Sequence, residues 1–154
     1  VDGDINFPFS TGLAMDNVST ISMYSKSKHM LFLMDACYSG LMAEGSRGLN
    51  KMEDEEGYIN TVSNLKARQI ITAGGAKQEA IEADEWRHSA FTHNLLKALD
   101  DWAADSDADG FITAGELGEY LRKTVTDDTR GKQTPEVGRF RYSDSGEFVF
   151  TRNP

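Results

Sequence analysis

The chain has 154 residues, which suits one domain with its own core, and its composition, 39% hydrophobic and 27% charged, is that of an ordinary globular protein. The net charge of −9 argues against nucleic acid as the main partner, because phosphate binding requires a surplus of Lys and Arg. No apolar run approaches the roughly 20 residues of a membrane-spanning helix, so no membrane partner is expected. A single cysteine rules out an internal disulfide, which fits a reducing, cytoplasmic location.

Alternating helices and buried strands predict an α/β fold with a mostly parallel sheet. In chain order, the pattern predicts a helix at 13–27, a strand at 30–35, a long exposed loop at 41–60, a strand at 67–73, helices at 88–103 and 114–125, and a strand at 147–151. In the first helix, Met15, Val18, Ile21 and Tyr24 recur at three-residue steps and predict its buried face.

The only cysteine, Cys37, follows the second of these elements in the stretch LMDACYSG (33–40). In open α/β sheets, reactive groups gather just beyond the carboxyl ends of the strands, which is where this position places the thiol. Ser39 and Gly40 allow a sharp turn, and amide groups at such a turn can activate a thiol. The alternative is that Cys37 is a buried, inert side chain, as most lone cysteines are.

The stretch LMDACYSG resembles the nucleophile motif of the caspase-like cysteine peptidases, specifically the bacterial metacaspase-like branch, where a strand delivers Asp-x-Cys-x-Ser-Gly. Further segments resemble the same family in the same order: RQIITAGGAKQEAIE (68–82), HSAFTHNLLKAL (88–99), DADGFITAGELGEYL (107–121) and QTPEVGRF (133–140). The resemblance implies a single caspase-like peptidase domain over 1–154 that lacks its N-terminal part. It also implies Cys37 as the catalytic nucleophile, a polypeptide substrate and no organic cofactor.

The general base is the part of the family pattern that this sequence does not contain. The family places a His-Gly pair on the preceding strand, and no His-Gly pair occurs here. His29 stands at the end of the apolar run opposite Cys37, and His88 and His93 flank the start of a predicted helix, where capping or partial burial is the simpler role. We therefore expect the base on a segment upstream of Val1; a pseudoprotease that acts as a scaffold is the alternative.

Asp35 and Glu82 are the residues that the resemblance assigns to substrate binding. Metacaspase-like members carry Asp two residues before the cysteine and cut after Arg or Lys, whereas animal caspases carry Gln there and cut after Asp. A carboxylate beside the nucleophile can hold a cationic side chain through charge-assisted hydrogen bonds. The alternative role for Asp35 is to cap the next helical turn, and Glu82 is expected as a second acid of the pocket.

Residues 105–116, DSDADGFITAGE, match the calcium-loop pattern D-x-D-x-D-G-x5-E, with Gly110 at the bend. The expected calcium ligands are Asp105, Asp107, Asp109, the carbonyl of Phe111, Thr113 and Glu116. Two alternatives need no metal, because Thr113-Ala-Gly-Glu116 is also a helix-capping box and Asp/Gly clusters are common in turns. A calcium-binding module with a structural cysteine is therefore the second hypothesis for the chain.

The stretch 44–57, EGSRGLNKMEDEEG, follows the nucleophile segment and mixes glycines, acids and two basic residues. Its composition predicts an exposed loop. An enzyme that cuts after basic residues would find Arg47 and Lys51 at high effective concentration, which makes them candidate self-processing positions. The alternative is a plain solvated connector.

Overall fold

The computed structural model describes residues 14–38, 55–75, 78, 80–84 and 86–152, with the backbone alone for residues 37, 38, 55 and 56. In chain order its elements are α1 (Met15–Tyr24), β1 (His29–Tyr38), α2 (Glu55–Asn64), β2 (Ala67–Gly75), β3 (Glu82–Ala83), β4 (His88–Ser89), α3 (Ala90–Asp100), β5 (Phe111–Thr113), α4 (Ala114–Asp128), β6 (Glu136–Arg139) and β7 (Val149–Thr151). No helix in these ranges is long and apolar enough to cross a membrane.

A mixed three-stranded sheet forms the centre of the fold, in the order β1-β2-β6. β1 and β2 run parallel from the pair His29–Ala67 to the pair Tyr38–Gly75, and β6 runs antiparallel to β2. Every residue of β2 is buried, including the polar Arg68, Gln69 and Thr72, because both faces of this strand are covered. The predicted α/β class is confirmed, and the described sheet combines one parallel and one antiparallel pair.

Helices cover the two faces of β2 in different ways. Ile71 and Ala73 belong to the main core, together with buried side chains of α3 and α4 such as Phe91 and Leu117. Alternation places Arg68 on the opposite face, where its guanidinium binds backbone carbonyls at the carboxyl end of α1. The sheet is therefore fixed to α3 and α4 by apolar packing and to α1 largely by hydrogen bonds.

The predicted face of α1 is right at Val18 and wrong at Ile21 and Tyr24. Val18 and Ser22 are the buried residues of this helix, whereas Ile21 is 51% and Tyr24 is 75% exposed. Steps of three residues drift by about 60° per step around a helix of 3.6 residues per turn, so that the first and last members of the series point to opposite sides. The observed i, i+4 pair stays on one side and is the pair that faces the protein.

The predicted loop at 41–60 is wrong over its last residues, because α2 occupies Glu55–Asn64. Val62 of this helix is fully buried, while Tyr58 and Ile59 are half-buried, so a short apolar stripe was present among the polar residues. Residues 41–54 lie outside the described part of the chain. The predicted last strand is found at Val149–Thr151, where it pairs with β5 rather than with the central sheet.

Candidate active site

A bulge near the carboxyl end of β1 shapes the candidate site. Between Met34 and Cys37, the two residues Asp35 and Ala36 stand opposite the single residue Ala73 of β2. A β-bulge bends its strand and re-aims side chains, and bulges are frequent beside active sites. Cys37 belongs to the end of β1 itself, because the strand continues three residues beyond the predicted end at residue 35.

The carboxylate of Asp35 is fixed by two hydroxyl groups at the start of α3. Ser89 Oγ donates to Asp35 Oδ2 at 2.5 Å, and Thr92 Oγ1 donates to the same oxygen at 2.7 Å. Ser89 is also the N-cap of α3 and accepts a hydrogen bond from Thr92 N at 3.0 Å. The positive end of the helix dipole favours a carboxylate at this position. The described partners of Asp35 thus lie on α3 and its cap, not in a turn that follows β1.

Asp35 and Glu82, the two predicted substrate-binding residues, line one cavity of about 780 Å³. The remaining lining residues are Ala83, Asp84, Arg87, His88, Ser89 and Thr92. The lining of this open groove carries three carboxylates, those of Asp35, Glu82 and Asp84, and one guanidinium, that of Arg87, so these four groups sum to a negative charge. Such a cavity is complementary to a cationic side chain.

A short hairpin brings Glu82 to the cavity. In the β3–β4 pair, Glu82 stands opposite Ser89, and Ala90 N donates to the carbonyl oxygen of Ile81 at 2.8 Å. The helix predicted from residue 88 therefore begins at Ala90, because His88 and Ser89 form β4. Ser89 and Thr92 were not predicted as functional residues. A serine directly before a helical apolar pattern is a common N-cap, so the sequence did contain a signal at Ser89.

The structure places the three histidines in three different environments. His29 opens β1 at the far end of the strand from Cys37, and its Nε2 lies 2.9 Å from the carbonyl oxygen of Leu65. His93 lies half-buried on α3, with its ring stacked on Trp86 at a centroid distance of 5.9 Å. His88 is exposed in β4 and lines the acidic cavity.

Comparison with known proteins decides the family. The family model of the caspase domain of the C14 peptidases matches residues 2–143, which is most of the chain. The chain belongs to the caspase-domain family of cysteine peptidases. No curated protein and no solved structure matches the chain significantly. The suspected caspase-like membership is thus confirmed, while the bacterial metacaspase-like branch stays a prediction.

This caspase domain carries a second cluster of acidic groups in the loop between α3 and β5. Asp105, Asp107 and Asp109 each offer a carboxylate oxygen, and these oxygens lie within 4.8 Å of one another. Gly110 makes the bend of the loop at a φ of 87°, and its N–H donates to Asp105 Oδ2 at 3.1 Å. Oxygens that share one calcium ion lie up to about 5 Å apart, twice the 2.3–2.6 Å bond length, so this spacing fits the metal.

Two carboxyl groups in the loop, those of Asp105 and Asp109, carry an electrostatic cost. Asp105 Oδ1 is buried and accepts no hydrogen bond from the described residues. Burial raises the pKa of Asp109 above its usual value, and the carboxylates of Asp107, Glu116 and Asp105 raise it further, against the hydrogen bond from Phe111 N at 2.8 Å. A bound cation would relieve both costs.

The other predicted ligands are held by local hydrogen bonds. Thr113 and Glu116 form the capping box of α4, with Thr113 N donating to Glu116 Oε2 at 2.9 Å. Glu116 Oε1 accepts from Ser106 N and from Ser106 Oγ. Phe111 begins β5, opposite Thr151 of β7. Arg47 and Lys51, the candidate self-processing positions, lie outside the described residues.

Proposed function

We propose that this chain is the nucleophile-bearing part of a cysteine endopeptidase that cuts after Arg or Lys. The observation that carries the proposal is the acidic cavity that Asp35 and Glu82 line together, since Asp35 lies two residues before Cys37 on the same strand. The hydroxyl groups of Ser89 and Thr92 hold the carboxylate in place before a substrate arrives. A fixed carboxylate loses little freedom when it binds a cationic side chain, and it repels an acidic one.

The proposed chemistry is thiol acyl transfer. A histidine base takes the proton of the Cys37 thiol, and the thiolate attacks the carbonyl carbon of the scissile bond. The C–N bond breaks as the protonated histidine gives that proton to the leaving amine. The resulting thioester is then hydrolysed by water, which restores the thiol and releases the acid. Because no His-Gly pair occurs in the sequence, the proposal assigns the base to an upstream segment of the same protein.

The outer edge of β1 supports that assignment. In the described ranges, β1 pairs with β2 alone, and its other edge, ten residues long, has no strand partner within those ranges. The strand is apolar, and Leu33 is 36% exposed upon it. A long apolar edge is a template for another strand, and natural proteins usually cover such an edge. A strand from the upstream segment would cover it and bring a histidine toward the carboxyl end of β1.

We expect the Asp35→Asn variant of the full-length protein to lose about tenfold or more in kcat/KM for Arg substrates, because a charge-assisted contact contributes about 1.5–3 kcal/mol. Asparagine keeps an oxygen for Ser89 and Thr92, so the change removes charge with little change of shape. The measurement is cleavage of a peptide library with Arg, Lys or Asp before the scissile bond.

Asp144→Asn is the matched control, because this exposed residue lies at the opposite end of β2, where its N–H binds the carbonyl of Lys66 at 2.9 Å. The control should leave the preference for basic residues unchanged. Equal cleavage after Asp and Arg by the unmodified protein would contradict the assigned specificity.

Calcium binding at 105–116 is a second proposed function, favoured by the buried, unpaired Asp105 Oδ1. The three Asp side chains would hold the ion, with the Phe111 carbonyl, Thr113 and Glu116 completing the shell after the capping bonds exchange. A pseudoprotease that acts as a scaffold could also carry this calcium site. Peptidase activity and calcium binding are therefore tested in separate experiments.

We expect saturating calcium to raise the Tm of the protein by several degrees, because a ligand at 100 times its Kd contributes about 2.7 kcal/mol. In a chain of this size, each kcal/mol added to the free energy of unfolding raises the Tm by roughly 2–4 °C. Asp105→Asn should remove most of the rise, whereas Asp101→Asn, an exposed neighbour outside the motif, should keep it. The measurement is thermal unfolding in calcium, magnesium or chelator, and identical curves in calcium and chelator would exclude the site.

A further inference from the structure

Gln133, in the turn between α4 and β6, is fully buried, and both ends of its amide are used. Its Oε1 accepts a hydrogen bond from Ile81 N at 2.7 Å, and its Nε2 donates to the carbonyl oxygen of Ala73 at 2.9 Å. Its own backbone N–H is held by Thr129 Oγ1 at 3.1 Å. One side chain therefore joins the carboxyl end of β2 to the residue that precedes β3.

A second glutamine makes a similar link beside the first. Gln78 Oε1 accepts from Gly75 N at 3.1 Å and from Thr134 N at 3.0 Å. Thr134 follows Gln133 directly, so two adjacent residues fix the chain that leaves β2. Neither link touches the acidic cavity, because neither glutamine is among its lining residues.

The position of Ile81 determines where Glu82 stands. The N–H of Ile81 is held by Gln133, and its carbonyl accepts from Ala90 N at 2.8 Å. The next residue, Glu82, pairs with Ser89, whose hydroxyl holds Asp35. Glu82 and Asp35 are thus both located relative to Ser89, and Gln133 fixes the chain at Ile81, directly before Glu82.

We propose that Gln133 is a positioning residue for the basic-side-chain pocket, an inference that rests on the proposed function. Without its amide, Ile81 N and the carbonyl of Ala73 would be left without these partners inside the protein, which favours a shift of the chain. The backbone at Glu82 would then move relative to Ser89 and Asp35. A substrate cation would meet a rearranged set of carboxylates in the cavity.

The test compares Gln133→Leu with Gln69→Leu. Gln69 is 2% exposed and lies on β2, where its Nε2 donates to Glu147 Oε2 at 2.8 Å and its Oε1 accepts from Phe148 N at 2.7 Å. Each substitution replaces glutamine by a leucine of similar volume and removes two hydrogen bonds of a buried side-chain amide. The two differ in location, because Gln69 ties β2 to the segment before β7, whereas Gln133 ties it to the residue before Glu82. Gln78→Leu, at a half-buried position, is a milder second variant should Gln133→Leu fail to fold.

Three quantities are measured in full-length protein: Tm, hydrogen exchange of the Ile81 amide, and the affinity of agmatine, which carries the guanidinium of arginine. We expect Gln133→Leu to speed Ile81 exchange and to weaken agmatine binding by about tenfold. KM for Arg substrates should rise by a similar factor, with kcat less changed. Gln69→Leu should lower Tm by a similar amount but leave agmatine affinity and KM unchanged. Gln78→Leu should change Ile81 exchange, agmatine affinity and KM in the same direction as Gln133→Leu.

Equal agmatine affinity in the unmodified protein and in the Gln133→Leu and Gln78→Leu variants would overturn the inference while leaving the proposed function intact. Parallel losses in the Gln133→Leu and Gln69→Leu variants would also overturn it, because they would show a general effect of stability. Failure of the unmodified protein both to bind agmatine and to cut after Arg would instead overturn the proposed function, and the positioning role with it.

Discussion

We expect the Cys37→Ala variant of the full-length protein to lose hydrolysis of Arg-terminated peptides by about a thousandfold or more, because removal of a catalytic nucleophile has effects of that order. Alanine cannot form the thioester on which the proposed mechanism depends. Residues 1–154 alone should be nearly inactive even with Cys37 present, since the proposed base lies upstream. Robust turnover by this chain alone would contradict that assignment and direct attention to His88, which lines the acidic cavity.

Covalent labelling gives a readout that does not require turnover. Cys37 is the only cysteine of the chain, so any alkylated thiol in it is this one. A peptidyl chloromethylketone that ends in Arg should modify Cys37 in the full-length protein, and the same reagent that ends in Asp should not. Equal labelling by both reagents would indicate an exposed thiol without a substrate site.

The same variant also tests self-processing. If Arg47 and Lys51 are cut by the enzyme itself, new N-termini at Gly48 and Met52 should form in the unmodified protein and be absent from Cys37→Ala. Mass spectrometry of both proteins, with and without calcium, detects these termini. An intact segment in an otherwise active enzyme would refute self-processing without affecting the proposed reaction.

We expect Arg68→Met to lower the free energy of unfolding by about 3 kcal/mol or more, because a buried acceptor left unpaired costs about 1–3 kcal/mol. Arg68 is 1% exposed. Its guanidinium N–H groups donate to the backbone carbonyls of Ser22, Ser25, Ser27, Lys28 and Ala67. Four of these carbonyls belong to the carboxyl end of α1 and the residues between it and β1, where the helix dipole favours a cation. Total stabilities are about 5–15 kcal/mol, so the loss is a large fraction.

The measurement is chemical or thermal unfolding, with a fall in Tm of roughly 10 °C expected from a loss of that size. Arg122→Met is the control, because Arg122 is exposed on α4 and pairs with Glu119 at the surface. The Arg122→Met substitution should leave the Tm unchanged. Arg68→Lys should recover only part of the stability, since an ammonium group has three donors and no planar fork. A Tm for Arg68→Met close to that of the unmodified protein would refute the role.

Sequence patterns were most reliable where burial follows from local periodicity. The run at 67–73 predicted a buried strand, and β2 is buried at every position. The pattern at 114–125 aligns Leu117, Tyr120, Leu121 and Val125 on one face of a helix. Leu117, Leu121 and Val125 are fully buried, and Tyr120 is half-buried. In α1 the apolar pattern was short and weak, and Ile21 and Tyr24 of the predicted face are exposed. For α2, a buried stripe centred on Val62 was hidden among glycine and acidic residues.

The sequence by itself determined the α/β class, the strand that leads to Cys37 and the grouping of the three Asp side chains in one loop, because each depends on neighbours along the chain. It did not predict that this strand includes Cys37, or that none of the side chains described on it is fully buried. Only the tertiary structure decided the partners of the buried polar groups. Asp35 meets Ser89 and Thr92 from 54 and 57 residues away, and Gln133 meets Ala73 from 60 residues away. Periodicity reports that a side chain is buried, whereas a hydrogen-bond partner is chosen by the packing of distant segments.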